Sequence, residues 1–327
     1  MKTNAIIRII VWSLVLLILI NILGGFLIRG FYLDNYSIFS PKSGAHPTEE
    51  TFAPDVPLSN EEILSIDPAS IRELEIEWAA GDILIQTDDV EQITIQESDV
   101  DDEKHTMVYS INRQKLTVRY RKEPVRVGIG ASINAEISKD LYITVPNDWN
   151  CENLEIDAAA ASVKMNNMTI REVDFDGASG TFTINNCNIR ALDIDTASAD
   201  VHFSGTLDTL DFDAASASFI AVLYNTPNRM DMDGMSGSLD LTLPEDCGYS
   251  VTMDGISSHF STDFKETTFR NDAHIYGNGS CRIDVDGMSC DVIIRKATSG
   301  CTEPGCTVSE PHTHGTTEET FSREALS

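Results

Sequence analysis

One short phrase recurs seven times between Leu154 and Arg295, and this repetition constrains the fold more than any other feature of the sequence. Each copy has two apolar residues that flank an acidic residue or its substitute, then an aspartate, a few small residues and a second apolar pair. These seven key aspartates are Asp157, Asp176, Asp195, Asp213, Asp233, Asp254 and Asp286. They are 19, 19, 18, 20, 21 and 32 residues apart. A period near twenty residues is typical of repeat architectures built from one supersecondary unit.

The pattern within one repeat predicts two short strands joined by a tight turn. Alternation such as Leu192-Asp193-Ile194-Asp195 predicts a half-buried strand, and an apolar residue six places after the aspartate begins the second strand. A serine stands three places after the aspartate in every copy except that of Ala160, and Asp and Ser side chains suit a turn because they bond nearby backbone N–H groups. Since one repeat cannot bury its own apolar face, we predict an all-β, solenoid-like stack of successive repeats. Its buried column is Ile156, Phe175, Ile194, Phe212 and Met232.

Residues 1–33 predict an uncleaved signal anchor. Lys2 and Arg8 precede the apolar run Ile9–Ile28, which is long enough to cross a bilayer as one transmembrane helix. The leading positive charge favours an N-terminus inside the cell, so we expect a single-pass cell-membrane protein with its C-terminal domain extracytoplasmic. Residues 34–60, which contain four prolines among Ser, Gly and acids, predict an extended linker.

The rest of the chain divides into three further regions. Residues 61–150 predict an N-terminal β region whose phrase LEIEWAAGDILI, with Glu77 in the aspartate position, forms the first coil. Residues 151–296 hold the regular β-repeat array, and terminal repeats are expected to be atypical because they cap the open core. Residues 297–327 have little apolar content and no periodicity, which predicts a disordered tail.

The net charge of -29 limits the classes of partner. Nucleic-acid binding requires clustered cations and is excluded as a general role, and docking on anionic lipid is disfavoured. Divalent metal ions, cationic peptides and other basic polymers are compatible with the charge. The one basic cluster, from Lys115 to Arg126, is interpreted as a solvated strand edge that pairs with the acidic body rather than as an anion site.

The acids of the repeats predict a ladder of carboxylates. If the repeats stack in register, equivalent acids lie about 4.8 Å apart, and such neighbours repel or recruit cations. Calcium prefers several oxygen ligands, so a Ca²⁺-binding face is one hypothesis; the alternative, which we favour, is that each key aspartate caps its own turn and the acid before it is solvated. The candidate metal ligands are Asp193, Asp195, Asp211, Asp213, Asp231 and Asp233.

Seven cysteines do not form a regular disulfide framework. Cys187 and Cys290 fall at small, packed places of the repeat and are as compatible with a role as buried apolar fillers as with disulfide bonding. Cys301 and Cys306 could pair with each other, or bind zinc with His312 and His314, but their spacing differs from zinc fingers and opportunistic binding is favoured. No histidine recurs with a Ser or Cys nucleophile, and seven equivalent Asp-Ser copies indicate architecture, so we predict no enzymatic activity and no catalytic residue.

The anchor, the acidic spacer and the repeated phrase resemble the putative-adhesin β-repeat domain of bacterial envelope proteins, to which LiaG-type proteins belong. The resemblance covers about residues 70–296. It implies a β-solenoid-like fold, a surface location and a link to envelope-stress responses, and it supplies no ligand or catalytic residue. We therefore expect a non-enzymatic surface protein in adhesion or envelope sensing, whose partner is a cell-wall polymer, a cationic peptide or another envelope protein. The alternatives are a divalent-cation-binding acidic module and a polysaccharide-acting β-helix enzyme.

Overall fold

The computed structural model describes residues 56–57, 63–98, 106–120, 125–127, 131–133 and 138–297. Side chains are described for 63–98, 106–120 and 138–297. The predicted transmembrane segment 9–28, most of the linker 34–60 and the tail after Ala297 lie outside these residues. Among the described residues, no helix combines the length and the apolar character needed to cross a bilayer.

The described chain is all-β apart from one 3-10 turn at Pro68–Ser70, which confirms the predicted fold class at that level. Fifteen strands join one hydrogen-bonded sheet, and a separate hairpin comprises β7 and β8. The strands are β1 Val56–Pro57, β2 Leu64–Ile66, β3 Glu73–Asp88, β4 Ile93–Glu97, β5 Val108–Asn112, β6 Lys115–Arg119, β7 Val125–Val127, β8 Ala131–Ile133, β9 Leu141–Pro146, β10 Cys151–Asn166, β11 Thr169–Leu223, β12 Arg229–Leu243, β13 Tyr249–Asp254, β14 His259–Thr262, β15 Thr268–Arg270, β16 Ala273–Tyr276 and β17 Cys281–Lys296.

Consecutive repeats pair side by side as parallel strands in register. Ile156 of β10 lies opposite Phe175 of β11, and Phe212 of β11 lies opposite Met232 of β12. Each of these side chains, and Ile194 within β11, is no more than 2% exposed. The predicted column is therefore confirmed, because alternate residues of each strand point into one shared core. We call each repeat in this parallel series a rung.

The order of the rungs differs from the predicted chain order. β17, which carries the last copy of the phrase, pairs with β12 through Asp233 opposite Asp286, and β13 pairs with the far side of β17. The last copy thus lies between the fifth and the sixth. β17 is one unbroken strand whose inward residues are buried, whereas β13 and β14 are two short strands separated by the exposed Ile256, so the broken copy suits the terminal position.

The first corner of each rung is a bend within continuous strand pairing. The register skips one residue there: Ala158 pairs with Gly177 and Ala160 pairs with Ser179, while the residue between them stands at the corner. Serine side chains near this corner bond to the neighbouring rung, as when Ser289 Oγ donates to the Ser257 carbonyl over 3.4 Å. At Ser289 the side chain thus bonds across rungs, where the sequence predicted a bond within its own turn.

The second corner uses left-handed backbone at equivalent positions of three rungs. Asn167 has φ 58°, Asn186 has φ 52° and Gly205 has φ 146°, a region that Asn and Gly tolerate best. The Asn186 Nδ2 group donates to Asn167 Oδ1 over 2.8 Å, and Asn185 Nδ2 donates to Asn166 Oδ1 over 3.1 Å. These amide bonds link consecutive rungs and hold the corners in line.

Candidate functional site: an acidic face along the stack

Two parallel columns of carboxylates follow the outward side of the first strand segment of the rungs. One column contains the key aspartates and Glu77, and the other contains the acids two places earlier. The register places Glu155 opposite Asp174 and Asp157 opposite Asp176, with neighbouring strands about 4.8 Å apart. We call this surface the acidic face. It comprises Glu75, Glu77, Glu155, Asp157, Asp174, Asp176, Asp193, Asp195, Asp211, Asp213, Asp231, Asp233, Asp284, Asp286 and Asp254.

The six aspartates that the sequence singled out all lie on this face. Asp211 and Asp213 pair in register with Asp231 and Asp233, and the charges of Asp193 and Asp195 act on their neighbours in the rungs before and after. Within the described ranges, no group of three or more His, Cys, Asp or Glu side chains is arranged to hold a metal ion. Calcium binding at these aspartates thus stays a prediction.

At the N-terminal end of the stack, β6 covers the acidic face with cations. β6 pairs in parallel with β3 and sets Arg119 opposite Glu77. Arg119 Nε lies 3.1 Å from Glu77 Oε1, and Lys115 Nζ lies 3.2 Å from Glu75 and 2.9 Å from Glu155. The interpretation of the basic cluster as a partner of the acidic body is confirmed for Lys115 and Arg119; the other cations of that cluster lie outside the residues with described side chains.

The middle of the acidic face has no such cover. In the part of the chain that the structure describes, Asp193, Asp195, Asp211 and Asp213 form no ion pair. Partial burial, followed by the charges of Asp174 and Asp211, raises the pKa of Asp193 above its ordinary value. The pKa of Asp213 is raised in the same way, first by burial and then by neighbouring aspartates. A surface with this potential attracts cations.

The raised carboxyl pKa values are spread along the stack. Partial burial, with the charges of Glu155 and Asp176 next, raises the pKa of Asp157 to about 6, and the pKa of Asp233 is also raised, chiefly by burial and then by Asp286. A general acid or base acts at one site with a dedicated partner. Here the perturbed groups are equivalent members of a series, in which partial burial and then neighbouring carboxylates raise the pKa on several rungs.

Two arginines reach the acidic face near its C-terminal end. Arg229 pairs with Asp231 on β12, and Arg282 pairs with Asp284 on β17, at equivalent positions of adjacent rungs. An open groove of about 380 Å³ lies among these pairs and Asp254. Both arginine side chains are more than half exposed. They screen the acids two places before the key aspartates, while Asp233 and Asp286 themselves stay exposed to solvent.

Among the described residues, two histidines contact groups outside the acidic face, and the cysteines are buried. His259 Nδ1 is 3.3 Å from Asp291, and the His274 ring stacks on Phe260 with centroids 4.2 Å apart. Cys187 and Cys290 are free and buried, which confirms their interpretation as fillers, and burial raises the pKa of the Cys187 thiol to about 11. The possible cysteine and histidine site in the tail lies outside the described residues.

Sequence reasoning missed a buried ion pair at the N-terminal end. Lys139 and Glu97 are 0% and 4% exposed, and the Lys139 amino group contacts Glu97 Oε1. The same amino group lies 5.3 Å from the centroid of the Trp78 ring and 4.1 Å from that of Tyr120. Desolvation lowers the pKa of Lys139, although Glu97 opposes that shift. Neither residue belongs to a repeat, so no periodicity marks them as partners.

Three solved structures are similar to this chain at low identity. A putative cell adhesion protein from Clostridium sporogenes ATCC 15579 is 11% identical with a TM-score of 0.31, and the match covers 72% of this chain and 98% of that chain. A putative adhesin from Bacteroides fragilis NCTC 9343 is 10% identical with a TM-score of 0.40 and the same coverages. A putative lipid binding protein from Parabacteroides distasonis ATCC 8503 is 13% identical with a TM-score of 0.36, covering 72% of this chain and 96% of that chain. Likenesses of this size carry no functional conclusion.

No curated protein matches the chain. The model of the Toastrack DUF4097 family matches residues 71–295, which span the stack from β3 to the last rung. The matched region includes the whole acidic face and both of its ends. With most of its length matched, the chain belongs to the Toastrack DUF4097 family.

Proposed function

We propose that this chain is a non-enzymatic cell-surface protein whose acidic face binds polycationic ligands in adhesion or envelope sensing. The LiaG-type resemblance implies the surface location and the envelope role, and the acidic face supplies the ligand class. Residues 9–28 would anchor it as a single span, and the β-solenoid-like stack would stand outside the membrane. The observation that carries the proposal is the uncovered middle of the acidic face, where Asp193, Asp195, Asp211 and Asp213 form no ion pair within the described residues.

The middle of the acidic face is open, whereas its N-terminal end is covered by β6. This difference favours a ligand-binding role for the open acids over a role in solubility alone. Scattered surface acids would keep the protein soluble equally well, whereas acids in register on adjacent strands carry a repulsive energy. A ligand with several spaced cations relieves that repulsion and contacts several rungs at once. The raised pKa values of Asp193 and Asp213 have the same origin, in burial and neighbouring charge.

The test measures the affinity of the full-length protein for polylysine as a function of salt concentration. The full-length protein is held in phosphatidylcholine nanodiscs, with empty nanodiscs as the blank. Replacing Asp193, Asp195, Asp211 and Asp213 by Asn should weaken polylysine binding at least tenfold and flatten its salt dependence, because four cation contacts are lost.

The matched control replaces four exposed acids that lie off the acidic face: Glu91, Asp148, Asp246 and Glu266, as Gln or Asn. This control changes the net charge by the same amount as the variant in which the four aspartates of the acidic face become Asn. If polylysine affinity falls equally in both variants, net charge alone attracts the polymer and the proposed site is wrong. Absence of polylysine binding at low salt would contradict the proposal outright.

A further inference from the structure

Large apolar side chains stand exposed at the first corner of the last three rungs. The corner residue lies two places after the key acid, and in the first five rungs it is alanine: Ala79, Ala159, Ala178, Ala197 and Ala215. In the remaining rungs it is Met235, Met288 and Ile256, which are 48%, 42% and 81% exposed. We call these three residues the corner ridge. The change from alanine is confined to the C-terminal end of the stack.

The three residues of the corner ridge lie on consecutive rungs. The pairs Gly234 with Gly287 and Ser236 with Ser289 flank Met235 and Met288 on both sides. On the next rung, the backbone N–H of Ser257, the residue after Ile256, donates to the Met288 carbonyl over 3.0 Å. With strands about 4.8 Å apart, the ridge spans about 10 Å along the stack.

Acids flank the corner ridge on one side and hydroxyls on the other. Asp233, Asp286 and Asp254 lie two places before its residues and form the end of the acidic face. Serines follow each ridge residue directly along the chain. Exposed apolar side chains grouped beside charged ones mark interaction surfaces, and methionine adapts its shape to varied apolar partners.

We propose that the corner ridge and its flanking acids dock a cationic amphipathic helix of a peptide or protein; this proposal rests on the proposed function and assigns its partner class. Apolar residues at positions i, i+4 and i+7 of a helix span about 10.5 Å, which matches the three rungs. Lysines or arginines beside that apolar stripe then face Asp233, Asp286 and Asp254. Charge complementarity selects this occupant, because an anionic membrane or a second copy of the acidic face would bring like charges together.

The experiment uses two synthetic peptides of identical composition. One has leucines at i, i+4 and i+7 flanked by lysines, and the other has the same residues in an order that creates no apolar face. Their binding to the full-length protein in phosphatidylcholine nanodiscs is measured by fluorescence anisotropy against empty nanodiscs. The helical peptide should bind at least tenfold more tightly than the scrambled one.

Variants of the corner residue separate this surface from the rest of the acidic face. The triple change Met235→Ala, Met288→Ala and Ile256→Ala should abolish that tenfold preference and leave polylysine affinity unchanged. It restores the alanine found in the first five rungs, so folding is retained, and an unchanged melting temperature checks this. Ala215→Met should extend the ridge by one rung and tighten helix binding, whereas the control Ile220→Ala, at an exposed site away from the corner, should change neither affinity.

Several outcomes overturn the inference while the proposed function stands. The corner ridge is not a helix-docking site if the triple variant keeps the preference for the helical peptide, or if both peptides bind alike. Flotation with phosphatidylglycerol vesicles, or dimerisation in sedimentation velocity, that is lost in the triple variant would assign the ridge to a membrane or to a second copy. Failure of the proposed function would show differently, as polylysine binding that the aspartate variant leaves intact.

Discussion

The two ends of the stack are closed by different interactions: ion pairs at the N-terminal end and aromatic packing at the C-terminal end. At the N-terminal end, β6 places Lys115 and Arg119 on the acidic face, and the buried pair of Lys139 and Glu97 closes the interior. At the C-terminal end, the buried Tyr249 stacks on Tyr276 with ring centroids 5.6 Å apart, and no lysine or arginine described in the structure pairs with the key aspartates Asp233, Asp286 and Asp254.

This difference indicates that the charged groups of the N-terminal end stabilise the fold, whereas those of the C-terminal end are available to a ligand. The N-terminal end neutralises its carboxylates internally, so its acids are committed to intramolecular contacts. The C-terminal end relies on aromatic packing and leaves carboxylates and apolar side chains exposed. A ligand would therefore compete with Lys115 and Arg119 at the N-terminal end. At the C-terminal end, Arg229 and Arg282 pair with Asp231 and Asp284 and leave the key aspartates to solvent.

The largest expected effect comes from breaking the N-terminal ion pair. Lys139→Met leaves Glu97 buried without its partner and should cost about 3–5 kcal/mol of unfolding free energy. At the other end, Tyr249→Phe removes hydroxyl contacts to Thr262 and Thr267 at 2.9 Å and 2.7 Å, and should cost about 0.5–1.5 kcal/mol. Urea unfolding of both variants measures the difference. A double variant with Lys139→Met and Glu97→Leu should recover part of the loss, since it removes the unpaired charge but also the acceptor of the Met107 N–H. Equal losses at both ends would refute the contrast.

Lowering the pH should stabilise the protein between neutrality and about pH 5. The folded-state pKa values of Asp157, Asp193, Asp213 and Asp233 are raised, that of Asp157 to about 6, so the folded chain binds protons before the unfolded chain does. The melting temperature should rise as the pH falls through this window, by about 2–4 °C for each kcal/mol of repulsion removed. The four-residue Asn variant of the acidic face should show a flatter profile, and a melting temperature that falls steadily from pH 7 to pH 5 would contradict the prediction.

Single carboxylates at covered and open positions should respond in opposite directions. Asp213→Asn removes a charge that neighbouring aspartates oppose and should stabilise the fold by about 0.2–1 kcal/mol. Glu77→Gln removes the partner of Arg119 and should destabilise it by about 0.2–1 kcal/mol. Calorimetric melting of the two variants checks the signs. Shifts of the same sign would show that the cover provided by β6 makes no difference.

Calcium should have the smallest effect. A dispersed acidic face takes up divalent ions as a screening atmosphere, so Ca²⁺ and Mg²⁺ should raise the melting temperature by similar small amounts. A dedicated calcium site would instead give a Ca²⁺-specific rise, lost when Asp193, Asp195, Asp211 and Asp213 become Asn. Thermal melting in either cation, with EDTA as the control, separates the two cases.

Much of the interior and part of the surface could be predicted from the repeats. The period predicted which residues align, so Ile156 and Phe175 could be assigned to one buried column and Asp211 and Asp231 to one exposed column. The corner ridge also follows from the repeat, since Met235 and Met288 interrupt a series of alanines, but its exposure required knowing that the register skips this position.

The amino-acid sequence by itself determined the all-β repeat, its spacing and the sign of its charge, because a local period of two residues and a longer period near twenty are both written in the order of side chains. Tertiary structure alone decided where the last copy lies. The position of β17 between β12 and β13 depends on which strand edges remain free once the chain has turned back, and the pairing of Lys139 with Glu97 depends on two non-repeating segments that meet in one buried space. Strand pairing joins residues distant in the chain, so its partners are chosen by the competition among whole strands for one core.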